Sequence, residues 1–508
     1  MIARKSALIV ITKILDSALA YIALFFITAY MSPGDYGIVS FALGFAGLFS
    51  IFGTLGFNNA HTKKVSEGKD LGKCIGTFLT TKALLTVLTV SLLIGTIFYW
   101  KFIMGRGFES PEHELAVYIV TGFWVLKLIS DSFITTFSAR KEIAKAEIPY
   151  LFGVVIRASA TIYVALAGFG ALALAFTHVA GQLALLMAVL FFFRKYPIKK
   201  PSLEYFKEYS KFAIPLAIVS VCSIIMTNID KVLIQLFNSS VDVGYYSSAF
   251  RLSNFIHMFT LSIGALLFPT FSMLHANNDI AGIRKLASKS ERYLSMIVFP
   301  MVFGMVVLAG PAVLILLNGW MPAAAILQIL PFFVLFAALE RPYQSQFLGT
   351  NQPKITRNRV IIMVFINVLL NIVLIPKDIQ MLGGIQLAGM GARGASIATV
   401  ASYGVGLIYS RVMAWKLNKI KGDPRIILHF MAAGVMAAII YVVLYRLNFI
   451  IYLTRWYHLM LFSLFGLAIY IGILFLLSEF KKDDFHFFID TLSIKKMFKY
   501  VKEELRGK

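Results

Sequence analysis

Four cations stand where a lipid-embedded helix should carry none. Lys13, Lys82, Lys127 and Arg157 each lie inside a long apolar segment. At about 1.5 Å of rise per residue, Lys13 sits roughly 10 Å from the inner end of its segment, Lys82 and Arg157 roughly 12–14 Å from theirs, and Lys127 roughly 15 Å. A charge in hydrocarbon is costly, so such residues face a bundle interior or a water-filled cavity. Two carboxylates, Asp16 and Asp131, accompany them and leave the group net positive. If the helices turn these residues inward, they line a cationic cavity open toward the cytoplasm. A plainer reading exists for two of them. Lys127 and Asp131 are spaced i,i+4 and can pair on one helix face, and Lys13 can snorkel to the inner headgroups. Further on, Asp230 and Arg251 enter consecutive antiparallel segments at similar depth, which predicts a buried pair with a structural or gating role. His178 and His257 are also intramembrane and read as hydrogen-bonded core histidines ahead of proton relays.

The elements that position these residues are transmembrane helices. Of 508 residues, 59% are hydrophobic and 14% charged, against about 25% charged in soluble domains. Mean hydropathy is +0.79. Each crossing needs about 20 apolar residues, and fourteen segments qualify: 6–30, 36–58, 74–98, 114–137, 148–168, 171–193, 211–237, 243–270, 293–317, 323–348, 355–376, 387–414, 426–446 and 456–477. With both termini cytoplasmic, the inner segments hold 35 of the 48 Lys and Arg residues and the outer loops 6. That asymmetry fixes orientation and explains the net charge of +23 without nucleic acid. Within the inner segments, 281–292 predicts a short surface helix. The tail from Ser478, with Lys481, Lys482, Lys495, Lys496, Lys499 and Lys502, is expected on anionic headgroups. The apolar run after Arg4 and Lys5 extends to Tyr30, long enough to span, and reads as the first crossing rather than a cleaved signal.

The organisation predicted is a six-helix lobe over 1–193, a cytoplasmic linker over 194–210, a second six-helix lobe over 211–424, two further helices over 425–477 and a basic tail over 478–508. A short internal likeness supports repetition: Gly37-Ile38-Val39-Ser40 follows Asp35, and Gly244-Tyr245-Tyr246-Ser247 follows Asp242. Six spans between restarts put the halves in parallel orientation. Pro215, Pro269, Pro300, Pro311 and Pro331 lie in spans and suit helices that bend. Cys74 and Cys222 are isolated thiols, no Cys/His spacing suggests a metal site, and there is no GxxxxGK[ST] sequence. No catalytic residue is assigned. The outer cluster Glu109, Glu112 and Glu114 is the one place a membrane glycan polymerase could draw carboxylates from.

The sequence Met31-Ser32-Pro33-Gly34-Asp35-Tyr36-Gly37-Ile38, followed by Leu55-Gly56-Phe57, resembles the opening of the polysaccharide-biosynthesis oligosaccharide flippases of the multidrug/oligosaccharidyl-lipid/polysaccharide exporter superfamily. Ile229-Asp230-Lys231, Val243-Gly244-Tyr245-Tyr246-Ser247, Ala249-Phe250-Arg251-Leu252 and Phe268-Pro269 are similar to the family too. The resemblance implies an all-α polytopic protein with two lobes, and a transporter rather than an enzyme. It would move a polyprenyl phosphate- or pyrophosphate-linked glycan from the inner to the outer leaflet by alternating access. Lys13, Lys82, Lys127 and Arg157 would then receive the phosphate, while Asp16, Asp131, Asp230 and Arg251 would serve coupling or gating. No cofactor is expected beyond a coupling Na⁺ or H⁺. Membrane lipids and the glycosyltransferases or polymerase of the same pathway are the expected partners. A drug-cation antiporter of the superfamily would share the architecture, but it would favour an acidic cavity where this one reads basic.

Overall fold

A computed structural model describes residues 2–105, 107–379 and 384–480, without the side chains of 2–7, 10, 215, 216 and 258–266. Thirteen helices among the described residues are long and apolar enough to cross a membrane. The fourteenth predicted span, 243–270, falls on a continuous helix, Ser240–Ala276, part of which lacks described side chains. The protein is a multi-pass, all-α membrane protein. The one sheet among the described residues pairs β1 (Asp378–Ile379) with β2 (Ile385–Gln386), antiparallel with Asp378 opposite Gln386.

The chain divides into two compact units, one built mainly from 1–235 and the other mainly from 245–492. The first unit contains α1 (Ile2–Tyr30), α2 (Pro33–Thr54), α3 (Phe57–Ser66), α4 (Leu71–Phe98), α5 (Pro111–Ala139), α6 (Ile143–Leu166), α7 (Ala171–Phe193) and most of α8 (Leu203–Phe237). Its lipid-facing surface is greasy: Leu84, Val87, Phe98 and Tyr163 are all more than half exposed, as expected where lipid is the solvent.

Predicted span 36–58 ends earlier than its hydropathy implies. Leu55 (φ 35°) and Gly56 (φ 78°) both take left-handed conformations and stop α2. A separate helix, α3, follows in place of the expected loop. Its His61 is fully buried, stacked on Phe78 with ring centroids 4.0 Å apart. The two ring nitrogens lie 3.0 Å from the Tyr209 hydroxyl and 2.9 Å from that of Thr136. Burial lowers the His61 pKa to about 3, so the ring stays neutral and bridges α3, α5 and the start of α8. The linker before α8 is tied down as well. The Lys199 N–H donates to Gly72 O (3.1 Å), Ser202 N–H donates to Thr77 Oγ1 (2.9 Å), and a Cβ on Gly76 would meet Lys199 O at 1.8 Å. Nearby, Glu208 accepts from Lys69 (2.5 and 2.7 Å) and Lys64 (2.9 Å), and these bonds hold its carboxyl at about 2.

The internal likeness noted in the sequence has a physical cause. Ser32 accepts from Asp35 N–H (3.0 Å) while Asp35 accepts from Ser32 N–H (3.3 Å), a capping box that starts α2. Ser239 and Asp242 repeat the motif at the start of α9 (Ser240–Ala276): the Ser239 hydroxyl accepts from Asp242 N–H (3.3 Å) and donates to its carboxylate (3.0 Å). The two helix starts are packed reciprocally. A Cβ on Gly37 would lie 1.7 Å from Ser240 O, and one on Gly244 would lie 2.0 Å from Pro33 O. Each glycine therefore admits the other helix's first turn. Gly37→Leu or Gly244→Leu forces these backbones apart, and overpacking of this kind costs at least about 1–3 kcal/mol. The expected result is a lower thermal midpoint for purified protein in detergent, with Gly34→Ala, whose Cβ would meet nothing closer than 3.5 Å, as the tolerated control.

The second unit contains the rest of α9, then α10 (Ile280–Val307), α11 (Ala309–Leu316), α12 (Pro322–Leu327), α13 (Pro331–Gly349), α14 (Pro353–Leu374), α15 (Gly391–Asn418), α16 (Ile426–Tyr441) and α17 (Trp456–Leu476). Two expectations are corrected here. The predicted surface helix 281–292 is the first part of α10, which runs unbroken through the predicted span boundary. Its first turns do lie at the surface, with Ala281, Arg284, Lys285 and Lys289 exposed, but Glu291 and Arg292 at its end are buried and paired with Arg411 and Glu479, so their charge does not mark a loop. The start of the predicted basic tail is likewise part of the fold. Glu479, 4% exposed, accepts from Arg292 Nε (2.5 Å), and its carbonyl accepts from Arg292 Nη2 (2.8 Å). Lys481, Lys482 and the later tail lysines lie outside the described residues.

Candidate functional site

In the first unit, the predicted charges lie on four transmembrane helices, α1, α4, α5 and α6. Helix α1 packs on α6, and α6 on α7. The α6–α7 contact is a backbone one: a Cβ on Gly153 would lie 2.7 Å from Gly181 O, and one on Gly181 would lie 2.5 Å from the Arg157 Cβ. These glycines bring the backbone of α6 close enough to fix where Arg157 emerges. Arg157 Nη2 donates to Asp16 Oδ1 on α1 at 3.2 Å, and the Tyr150 hydroxyl donates to Asp16 Oδ2 at 2.7 Å. Lys13 Nζ lies 4.2 Å from the centroid of the Tyr150 ring, within cation–π range. Lys13, Asp16, Tyr150 and Arg157 thus form one polar cluster along the α1–α6 seam.

On α5, Lys127 Nζ donates to both oxygens of Asp131, at 3.0 and 3.3 Å. The i,i+4 reading of the sequence describes this pair. Neither partner is deeply buried: Lys127 is 37% exposed and Asp131 28%. Trp124 lies one turn above Lys127 on the same face, its buried indole N–H without a hydrogen-bond partner.

Lys82 stands differently. It is 2% exposed, and its Nζ donates to Gly53 O at 2.5 Å. Gly53 is in the last turn of α2, where carbonyls lack intrahelical partners, and a cation there complements the helix dipole. Lys82 is therefore a cap for α2 in this structure. Asp131 and Lys127 lie within its electrostatic reach, so it adds charge to the site without a free donor at the surface.

Asp230 is buried on α8, Arg251 half-buried on α9, and both are engaged by neighbours. They belong to different units. His257 lies 3.0 Å from Arg341 Nη2 and is a core histidine on that contact, while the His178 ring meets Phe123 edge to face. Both cysteines are buried free thiols. No cluster able to hold a metal ion occurs among the described residues.

Two residues of the seam escaped the sequence reading. Tyr150 is one of 22 tyrosines in the chain, and Glu147 falls just before the predicted span 148–168. Glu147 is half-buried beside Thr12 and Lys13, with one carboxylate oxygen unpartnered. The signal was present: Glu147, Tyr150 and Arg157 fall at i, i+3 and i+10, a single stripe of α6.

A family model described as "Polysaccharide biosynthesis protein" matches residues 27–325. Among curated proteins, the chain is 22% identical over 418 residues to a probable low-salt glycan biosynthesis flippase, Agl15, of Haloferax volcanii, covering 80% of this chain and 82% of that one. It is 23% identical over 220 residues to a probable flippase, AglR, of the same organism, covering 42% and 44%. Among solved structures, the fold is similar to a lipid II flippase, MurJ, in an inward closed conformation (TM-score 0.72, 14% identity, 91% of this chain and 97% of that one). It is also similar to an inward-facing multidrug resistance transporter of the MATE family in the MOP superfamily (TM-score 0.63, 14% identity, 80% and 96%).

Proposed function

Because this chain belongs to the polysaccharide biosynthesis protein family, we propose that it is a flippase for a lipid-linked glycan, carrying a polyprenyl phosphate- or pyrophosphate-linked oligosaccharide from the inner to the outer leaflet. The observation that carries this reading is the set of partly exposed charges at mid-membrane depth in the first unit. Lys127 and Arg157 lie roughly 18 and 21 Å from the inner ends of α5 and α6, and each is about a third exposed. Hydrocarbon does not tolerate such residues, whereas a hydrated path for a charged headgroup requires them. The sugar and its phosphate cross through this path while the polyprenyl tail stays in lipid.

The cycle is alternating access. Lys127, Arg157 and Lys13 bind the phosphate from the inner side, the lobes rearrange, and the headgroup leaves outside. Lys82 contributes field. No bond of the cargo changes, so the protein acts as a transporter and no catalytic residue is needed. Na⁺ or H⁺ is the candidate coupling ion, and Asp16, Asp131 and Asp230 are the carboxylates available to it. The similarity to flippases of glycan biosynthesis supports the cargo class.

The test is reconstitution. Proteoliposomes loaded with a fluorescent polyprenyl-pyrophosphate sugar should expose it on the opposite leaflet over minutes, with protein-free vesicles as the baseline. Exposure equal to that baseline across several lipid carriers, with Na⁺ and H⁺ gradients imposed in turn, would reject the reading in favour of a drug-cation antiporter.

A further inference from the structure

The two ion pairs at mid-membrane depth are more exposed than the buried pairs that join helices in the second unit. In the second unit, Arg359–Glu340 is 10% and 1% exposed and Arg292–Glu479 is 7% and 4% exposed. Such pairs are fixed, because breaking one strands a buried charge. Arg157–Asp16 is 34% and 23% exposed, and Lys127–Asp131 is 37% and 28% exposed. Accessible pairs of this sort contribute little to stability and can open cheaply. They also use the very N–H donors that a phosphate would need: both Lys127 bonds run to Asp131, and Arg157 gives Nη2 to Asp16.

We propose that Asp131 and Asp16 act as competing internal anions, which give up Lys127 and Arg157 to the incoming phosphate and reclaim them to expel it at the end of the cycle. This rests on the flippase reading above and deepens it. A transporter must bind its cargo without holding it. Two or three cations facing a pyrophosphate would otherwise form a trap, because each adds charge-assisted hydrogen bonds to the same anion. A tethered carboxylate weakens capture and supplies the replacement partner at release. The tether is built in. On α5, the i,i+4 spacing keeps Asp131 within reach of Lys127 whatever occupies the site. On α1, the 2.7 Å bond from Tyr150 holds Asp16 in place when Arg157 leaves, which makes Tyr150 a positioning residue. Glu147, beside Lys13 with an unpartnered oxygen, is placed to do the same for Lys13.

The test separates binding from release. Full-length protein in detergent at low salt is titrated calorimetrically with inorganic pyrophosphate, as wild type, Asp131→Asn, Asp16→Asn and the charge-conserving Asp131→Glu. Both Asn variants should bind about fivefold or more tightly than wild type, with Asp131→Glu close to wild type. In the proteoliposome assay, the Asn variants should show a lower KM and a lower maximal rate, the signature of a site that captures well and releases poorly. A merely structural role for these carboxylates would lower the rate without tightening binding. Pyrophosphate affinity equal to or weaker than wild type in both Asn variants, or no binding by any form, would overturn the proposal. Tighter pyrophosphate binding in a protein that flips no lipid-linked glycan would keep the anion exchange and discard the cargo.

Discussion

Neutralising both accessible pairs at once, as Lys127→Gln, Asp131→Asn, Arg157→Gln and Asp16→Asn together, is expected to leave a folded protein that flips its cargo at least about 100-fold more slowly. The fold should survive because the change removes no net charge and strands no partner. Partly exposed pairs are worth about 1 kcal/mol or less each, and the amide replacements keep hydrogen-bonding capacity at similar volume. Transport should not survive. Each cation gives the phosphate a charge-assisted bond worth about 1.5–3 kcal/mol, and about 1.4 kcal/mol is a factor of ten, so losing two costs two orders of magnitude or more. The measurement is the initial rate of headgroup exposure in proteoliposomes, scored against thermal midpoint and elution profile for the same preparation. A rate within about threefold of wild type in a well-folded variant would discard this cation site and leave the family's cargo to be recognised elsewhere. Lys82→Met makes a useful contrast. It removes the α2 cap at Gly53 O and should show itself in stability ahead of transport.

Much of this site was legible before any coordinates. Lys127 and Asp131 pair because their spacing on one helix leaves little choice, and the pair could be read from two letters four apart. The depth of Arg157 needs the helix start as well as the helical rise, because α6 begins at Ile143 and not at the predicted 148. What sequence could not supply is the choice of partner between helices. Asp16 and Arg157 are 141 residues apart, and nothing local to either says that α1 will lie on α6. The α6–α7 approach is decided by Gly153 and Gly181, whose meaning appears only when their missing side chains are seen to be the contact. Lys82 has the same difficulty in reverse. By composition it is one more intramembrane cation, yet its ammonium group is turned to a helix end that hydropathy placed four residues further on, because hydropathy averages across the left-handed break at Leu55 and Gly56. The fold itself rested on a cruder and more robust signal, about twenty apolar residues per crossing with basic residues gathered on one side. That signal misplaces boundaries where apolar runs cross a real break, as between α2 and α3, and where buried ion pairs mimic a loop, as at Glu291 and Arg292.

Glu340 carries the second large effect, and it falls on stability. The sequence marks it as an intramembrane charge beside Arg341, which invites pairing those two neighbours. Successive helix residues point about 100° apart, however, and do not face each other. Glu340 is instead the joint of three helices. Its carboxylate, 1% exposed on α13, accepts from Arg359 on α14, from Ser410 on α15 at 2.7 Å and from Gln344 at 3.0 Å. Arg359 is itself buried. Glu340→Ala therefore strands a guanidinium where water cannot reach it, and an uncompensated buried charge costs about 3–5 kcal/mol. Glu340→Gln keeps an acceptor and the volume but loses the charge, so it should fall between Ala and wild type. The decisive variant is the double one, Glu340→Leu with Arg359→Met. If the single variant is unstable because a charge is stranded, removing that charge restores most of the loss, since buried pairs replaced by packed apolar residues are often neutral or stabilising. If the double variant is as unstable as Glu340→Ala, the joint depends on Ser410 and Gln344, and the α13–α15 contact is held by hydrogen bonds more than by charge. Thermal unfolding of the four proteins in one detergent ranks them. The accessible pairs of the first unit should fail the same comparison, with single and double neutralisations alike close to wild type. That difference between a pair that holds helices together and a pair that opens for cargo is the physical distinction on which the proposed cycle depends.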